Sequence, residues 1–183
     1  MKRHMNVTCV IVFAAGLMML GACATAPKTA EGKADIERKA ATALAKAKEA
    51  DPTLGPILNA ASGYAVFPSV GKGAAGVGGA YGKGVLYEGG RIVGYCDLSQ
   101  ATIGFQLGGQ AYTQIIAFET PEAVTAFKAG NLNFAAQATA VAIRSGAGAN
   151  AEYADGVAVF TMDEAGLMYE ASVGGQKFSY QAR

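Results

Sequence analysis

Gly71-Lys-Gly-Ala-Ala-Gly76 has the glycine spacing of a loop that cradles phosphate. Such a loop serves a dinucleotide only when a helix opens inside it, so that the helix N-terminus meets the pyrophosphate. Here Val77-Gly-Gly-Ala-Tyr-Gly82 follows, and so much glycine does not propagate a helix. Asp97 stands near the spacing of a ribose-binding acid, but a lone acid is common. The P-loop pattern fails as well: Gly84 follows Lys83 and no glycine lies five residues before Gly82. What remains is Lys72 beside Gly73 and Lys83 beside Gly84, two ammonium groups next to thinly covered backbone N–H groups. That chemistry suits an anion or a lipid phosphate, so these four are the candidate binding residues. The plain alternative is two solvated lysines on turns.

The remaining residue types exclude more than they suggest. His4 is the single histidine, and it lies in an N-terminal segment that reads as removable. The processed chain would then have no imidazole for acid–base work, a triad or metal ligation. No Gly-x-Ser-x-Gly nucleophile elbow occurs, and no two acids among Asp97, Glu119, Glu152, Asp155, Asp163 and Glu164 stand out as a catalytic pair. The sequence therefore points to a protein that is not an enzyme and needs no cofactor or metal.

The N-terminal segment carries its own chemistry. Lys2, Arg3 and His4 precede an apolar run over residues 7–20, too short for a comfortable membrane span. Leu20-Gly-Ala-Cys23 follows at once and resembles the lipobox of bacterial lipoproteins. That resemblance implies a diacylglyceryl group on the Cys23 sulfur, cleavage before Cys23, and a fatty acyl group, palmitate in type, on the new amino terminus. Ala24, rather than an acid, follows the cysteine and resembles the outer-membrane sorting pattern. The expected organisation is a signal peptide over residues 1–22, an acylated Cys23 with a flexible tether over 23–33, and one domain over 34–183. The expected place is the cell envelope, most simply the outer membrane, with the domain facing the periplasm or the cell surface. Cys9 leaves with the signal and Cys23 is lipidated, so Cys96 has no disulfide partner within the processed chain and reads as a buried apolar residue. The formal charge falls from +1 to −1 when Lys2 and Arg3 are removed, and no long run of like charge exists. Nucleic acid is excluded as a partner on that ground.

Elements must position these residues. Residues 63–110 hold 14 of the 25 glycines, mixed with Val, Ile, Leu, Phe and Tyr in short runs. That mixture predicts closely packed strands. Residues 35–50 predict a helix with a narrow stripe of Ile36, Ala40, Ala43, Leu44 and Ala47 and an Asp35–Lys39 pair, stopped at Asp51-Pro52. Residues 54–61 suit a short helical turn. Strands are predicted over 64–67 (ended by Pro68), 77–81, 84–87, 91–96, 101–107, 112–118, 134–143, 157–161, 167–172 and 177–180. Glu88-Gly-Gly90, Gly108-Gly109, residues 163–166 and Gly174-Gly175 read as hairpin turns. Thr120-Pro-Glu-Ala123 opens a second helix that Gly130 ends. Phe105-Gln-Leu-Gly-Gly-Gln-Ala-Tyr-Thr113 is echoed by Ala171-Ser-Val-Gly-Gly-Gln-Lys-Phe-Ser179, as if two equivalent hairpins were present. The fold class is α+β: a mainly antiparallel β sandwich or partly closed barrel, with an N-terminal helix and one further helix.

Gly63-Tyr-Ala-Val-Phe-Pro68, Gly76-Val-Gly-Gly-Ala-Tyr-Gly-Lys-Gly-Val85 and Gly104-Phe-Gln-Leu-Gly-Gly-Gln110, in this order, resemble the SYLF domain family of lipid-binding proteins. Phe118-Glu-Thr-Pro-Glu-Ala-Val-Thr-Ala-Phe127 and Gly156-Val-Ala-Val-Phe160 extend the resemblance, and Gly166-Leu-Met-Tyr-Glu-Ala-Ser172 is similar to its bacterial, lipoprotein-bearing branch. The resemblance implies binding of acidic phospholipid, as eukaryotic members bind phosphoinositides; some of those members also bind actin. Two departures limit the transfer: Val93-Gly-Tyr-Cys-Asp-Leu98 stands where eukaryotic members carry a Trp-containing segment, and a tether replaces their partner domains. Acidic lipid is therefore the expected partner and actin is not. The alternative function is a structural or assembly lipoprotein that binds another envelope protein.

Overall fold

The computed structural model describes residues 27–75, 77–103, 108–132, 139–163, 171–172 and 175–183. Cys23 lies outside the described residues. Helix α1 (Ala30–Ala50) starts earlier than the predicted Asp35, because Thr29 accepts from the Gly32 amide at 3.1 Å as an N-cap. Asp51 caps its other end, and α2 (Leu54–Ala60) follows. The strands are β1 (Gly63–Ala75), β2 (Val77–Glu88), β3 (Arg91–Ile103), β4 (Gly108–Phe118), β5 (Thr139–Ala142), β6 (Val157–Asp163), β7 (Ala171–Ser172) and β8 (Gln176–Ala182). Helix α3 (Pro121–Lys128) lies between β4 and β5, capped by Thr120 as its sequence predicts.

Among the described residues one eight-stranded sheet results, in the order β7-β5-β6-β4-β1-β2-β3-β8. All its pairings are antiparallel except that of β5 with β6. The α+β class holds, and a single open, curled sheet replaces the sandwich alternative. Curling is visible in who touches whom. Gln114 on β4 and Gln176 on β8 exchange two hydrogen bonds, at 2.8 and 3.0 Å, although β1, β2 and β3 intervene in the sheet. Phe178 of β8 likewise lies 6.0 Å from Phe67 of β1. Phe127 of α3 fills the concavity, 5.0 Å from Phe118 and 5.2 Å from Phe178.

Several predicted breaks are absent. The pieces 77–81 and 84–87 form one continuous strand, because Gly82 and Gly84 are not interruptions but clearances. A Cβ on Gly84 would stand 2.5 Å from the Val66 carbonyl and 2.8 Å from the Phe67 ring; on Gly82 it would meet Val70 at 2.9 Å. Pro68 does not end β1 either. It sits where the register shifts against both β2 and β4, so the missing N–H leaves no ladder bond unmade. The predicted hairpin at Gly108-Gly109 is not a pairing: β3 joins β2 and β8, while β4 joins β1 and β6. Nor do β7 and β8 pair, although Gly175 has the positive φ of a turn; they stand at opposite ends of the sheet. The two echoed segments are therefore not equivalent hairpins. Much of the predicted strand over 134–143, and most of the turn and strand over 163–172, fall outside the described residues. Glu88-Gly-Gly90 turns as predicted, with φ of +55° and +74° at the two glycines.

The two faces of the sheet bury different things. Val70, Leu98, Tyr112, Ile116 and Phe178 pack with α3 on the concave face. Tyr64, Val66, Val85, Tyr95, Ile115 and Phe160 pack under α1 and α2 on the other. α1 contributes Ile36, Ala40, Ala43 and Ala47 to that face. Three methyls and one isoleucine bury little area, so about 2–4 kcal/mol of apolar burial holds the helix by this stripe. Polar clamps supplement it: the Tyr95 hydroxyl donates to Glu37 at 2.7 Å, and Lys33 lies 5.0 Å over the Tyr95 ring.

Candidate functional site: a basic groove beside α1

The register shift at Pro68 opens a notch in the sheet beneath α1. Thr113 fixes its edge by donating its hydroxyl to the Pro68 carbonyl at 2.9 Å. A groove of about 590 Å³ runs from this notch along α1, walled by Arg38, Lys39, Thr42, Ala43 and Lys46 on the helix and by Pro68, Ser69, Thr113 and Met162 on the sheet. A second hollow of about 430 Å³ continues it toward the start of the helix, between Pro27, Gly32, Asp35 and Ile36 and the β2 residues Tyr81, Gly82 and Lys83. Lys39, Pro68 and Ser69 belong to both, so the two form one groove divided at the notch.

Charge is unequal along it. In the half nearer the helix start, Asp35 pairs with Lys39 at 2.7 Å and with Arg38. The Lys39 ammonium bonded to Asp35 holds its carboxyl below the usual value. Asp97, mostly buried, sits opposite Lys83 in the β2–β3 register and accepts from the Tyr81 hydroxyl at 3.0 Å and from Ser179 at 3.3 Å. In the other half the described lining contains Arg38 and Lys39, which reach back to Asp35, and Lys46, with no acid among the described residues that line it. Lys39 and Lys46 are seven residues apart, two helical turns, which places both on the groove face. An anion is therefore favoured at the Lys46 half. Apolar surface lies beside it: Ala43, Pro68 and Met162 line the same half, and Tyr81, 45% exposed, stands at the other. Cations next to apolar surface suit an amphiphile with an anionic headgroup.

The four sequence-predicted residues divide. Lys83 lines the groove. Lys72 pairs with Ala80 and Gln110, and Ala80 belongs to the concave core, so Lys72 lies on the concave face with it, across the sheet from the groove. The two lysines do not meet, because the bulge at Pro68 and the strand alternation set them on different sides. Gly73 lies in register with Gly79 and Gly109, away from the groove. Gly84 is buried against Phe67 and offers no approach to a ligand. Sequence reasoning missed Arg38, Lys39 and Lys46. Their signal was present as basic residues flanking the apolar stripe at helical spacing. Cys96 is buried and 2% exposed, and burial pushes its thiol well above the usual value, so it is an apolar core residue without thiolate chemistry. Among the described residues no three His, Cys, Asp or Glu gather as a metal site, and no helix is long and apolar enough to cross a membrane.

Residues 99–182 match the family model described as "Ysc84: Las17-binding protein actin regulator". The chain is also 31% identical over 161 residues to "Beta cell expansion factor A" of Aeromonas veronii. That match covers 83% of this chain and 59% of the relative, so the chain spans little more than half of the relative's length.

Proposed function

Because the chain belongs to the SYLF (Ysc84) domain family, a domain of the lipid-binding type, we propose that it is an envelope lipoprotein whose α1 groove binds acidic phospholipid headgroups. The observation that carries this reading is the groove half whose described lining holds Arg38, Lys39 and Lys46 and no acid, beside Ala43, Pro68 and Met162. Phosphate oxygens would take the ammonium and guanidinium donors of the helix wall. The acyl groups proposed on Cys23 supply permanent attachment, at about 0.8 kcal/mol per buried methylene. The groove is then free to select headgroups rather than to anchor the chain. No step of this requires catalysis. Actin regulation is part of the family model's description and is not carried to this chain, whose proposed place is the bacterial outer membrane.

Co-sedimentation of residues 27–183 with phosphatidylglycerol vesicles and with phosphatidylcholine vesicles tests the reading. Binding is expected to phosphatidylglycerol alone and to weaken with salt. Each basic residue near such a surface is worth about 1 kcal/mol, so the double reversal Arg38→Glu with Lys46→Glu should cost well over tenfold in partitioning. Equal binding to both vesicle types, or an unchanged double variant, would turn the reading toward an assembly lipoprotein that meets another envelope protein.

A further inference from the structure

The groove and the proposed anchor are close in the chain. Pro27 and Gly32 line the same end of the groove as Lys83 and Tyr81. Cys23 precedes Pro27 by four residues, and four residues reach at most about 14 Å when fully extended. The end of the groove is thus pinned within that distance of any acyl group on Cys23. At physiological ionic strength charges act over about 8 Å, so Lys83 and Lys39, which line the tethered end, stand near the range of the headgroups around the anchor, with Lys46 farther along the groove.

Resting on the headgroup reading above, we infer that the groove docks in cis, on the leaflet that holds the chain's own anchor. α1 then lies along the bilayer surface rather than standing on it. Two features favour the flat arrangement. Lys83 and Lys46 sit at opposite ends of the groove, so both reach phosphates only when its length faces the surface. Tyr81, at the tethered end, presents an exposed aromatic ring of the kind that settles at the headgroup level. A groove whose open end carries so short a tether cannot turn that end to an opposing bilayer. Docking is also intramolecular once the anchor is inserted, so an intrinsically weak site is filled by effective concentration alone. α3 and the concave core lie on the other face of the sheet and point away from the membrane.

The test uses the full lipidated protein, reconstituted in phosphatidylglycerol–phosphatidylcholine vesicles or in phosphatidylcholine alone. A cysteine is introduced at Thr42, an exposed groove residue, or at Glu122, exposed on α3 across the sheet. Cys96 is buried and does not compete for label. A membrane-impermeant maleimide should modify Thr42→Cys slowly on the acidic vesicles and fast on the neutral ones, with Glu122→Cys fast on both. A 20-residue Gly/Ser spacer inserted before Pro27 should weaken that protection about tenfold, as effective concentration falls with tether length. If unlipidated chain binds acidic vesicles while anchored Thr42→Cys labels as fast as Glu122→Cys, docking in cis is wrong and the headgroup reading stands. Cross-linking of acidic vesicles into clusters by the anchored protein would overturn docking in cis as well. If neither anchored nor unlipidated protein responds to acidic lipid, the headgroup reading itself fails.

Discussion

Asp51 is the residue at which this fold is most sharply testable. It is 1% exposed and accepts four hydrogen bonds: from the Thr53 amide at 3.0 Å and hydroxyl at 2.6 Å, and from the Gly146 and Gly148 amides at 3.2 and 2.6 Å. One carboxylate thereby ties the α1–α2 corner to a loop almost a hundred residues away. Asp51→Ala leaves the Gly146 and Gly148 amides and the Thr53 pair without their acceptor. Stranded buried donors cost about 1–3 kcal/mol apiece, and with Gly148 the more enclosed of the two loop amides the sum is about 4 kcal/mol. For a domain of this size that lowers the thermal midpoint by about 12 °C. Asp51→Asn keeps one acceptor oxygen and should lose about half as much. Burial opposes ionisation of this carboxyl, but the bonds from Thr53, Gly148 and Gly146 outweigh it and hold its pKa below the usual 3.8. The folded value lies under the unfolded one, so this stabilisation is complete above pH 3.8 and drains as pH falls through the lower folded value. Thermal melts by circular dichroism from pH 7 to pH 2 should show the wild-type and Asp51→Ala curves converging at the acid end. A loss under about 1 kcal/mol at pH 7, or a gap that stays constant with pH, would refute the account.

Other perturbations probe the remaining joints. Gln114→Leu or Gln176→Leu alone strands a buried amide and should cost about 2–3 kcal/mol in urea unfolding, whereas the double change should cost less than the sum of the two. Gly84→Ala drives a methyl into the Val66 carbonyl and should abolish the folded near-ultraviolet signal, while Gly89→Ala, where nothing lies within 4 Å but φ is +55°, should cost only about 1 kcal/mol. Tyr95→Phe removes the bond to Glu37 and should speed amide exchange across α1 without moving the exchange of β1 or β2.

The sequence made local chemistry legible and long-range pairing illegible. Thr120 with Pro121 and Glu122 specified a helix start because capping is settled within four residues, and α3 begins there. Glu88-Gly-Gly90 specified a reversal for the same reason. Gly175 also specified a reversal, but a turn does not name the strand that receives the chain. Phe178 and Gln176 decide that, by fitting against Phe67, Phe127 and Gln114, and those contacts exist only after the sheet has curled. Pro68 read as a stop because a proline in a central strand forfeits a bond; the bulge that excuses it depends on both neighbours shifting together. The site followed the same division. Arg38, Lys39 and Lys46 look like a solvated helical face, which they are over most of their surface. They become a groove wall only because Ala43 lets α1 settle beside the Pro68 notch.

The placement of β8 sets the timetable of folding. This strand is made after every other described element, yet it pairs along seven residues with β3 and brings Phe178 and Gln176 into the concave core. Until residues 176–182 are available, β3 has an open edge and Phe67, Phe127 and Gln114 lack their partners on β8. The domain therefore cannot complete its core until that strand has emerged, and contacts of such sequence separation form slowly. For a chain proposed to cross a membrane before it folds, that delay keeps it loose through transit and lets the last strand close the core on the far side.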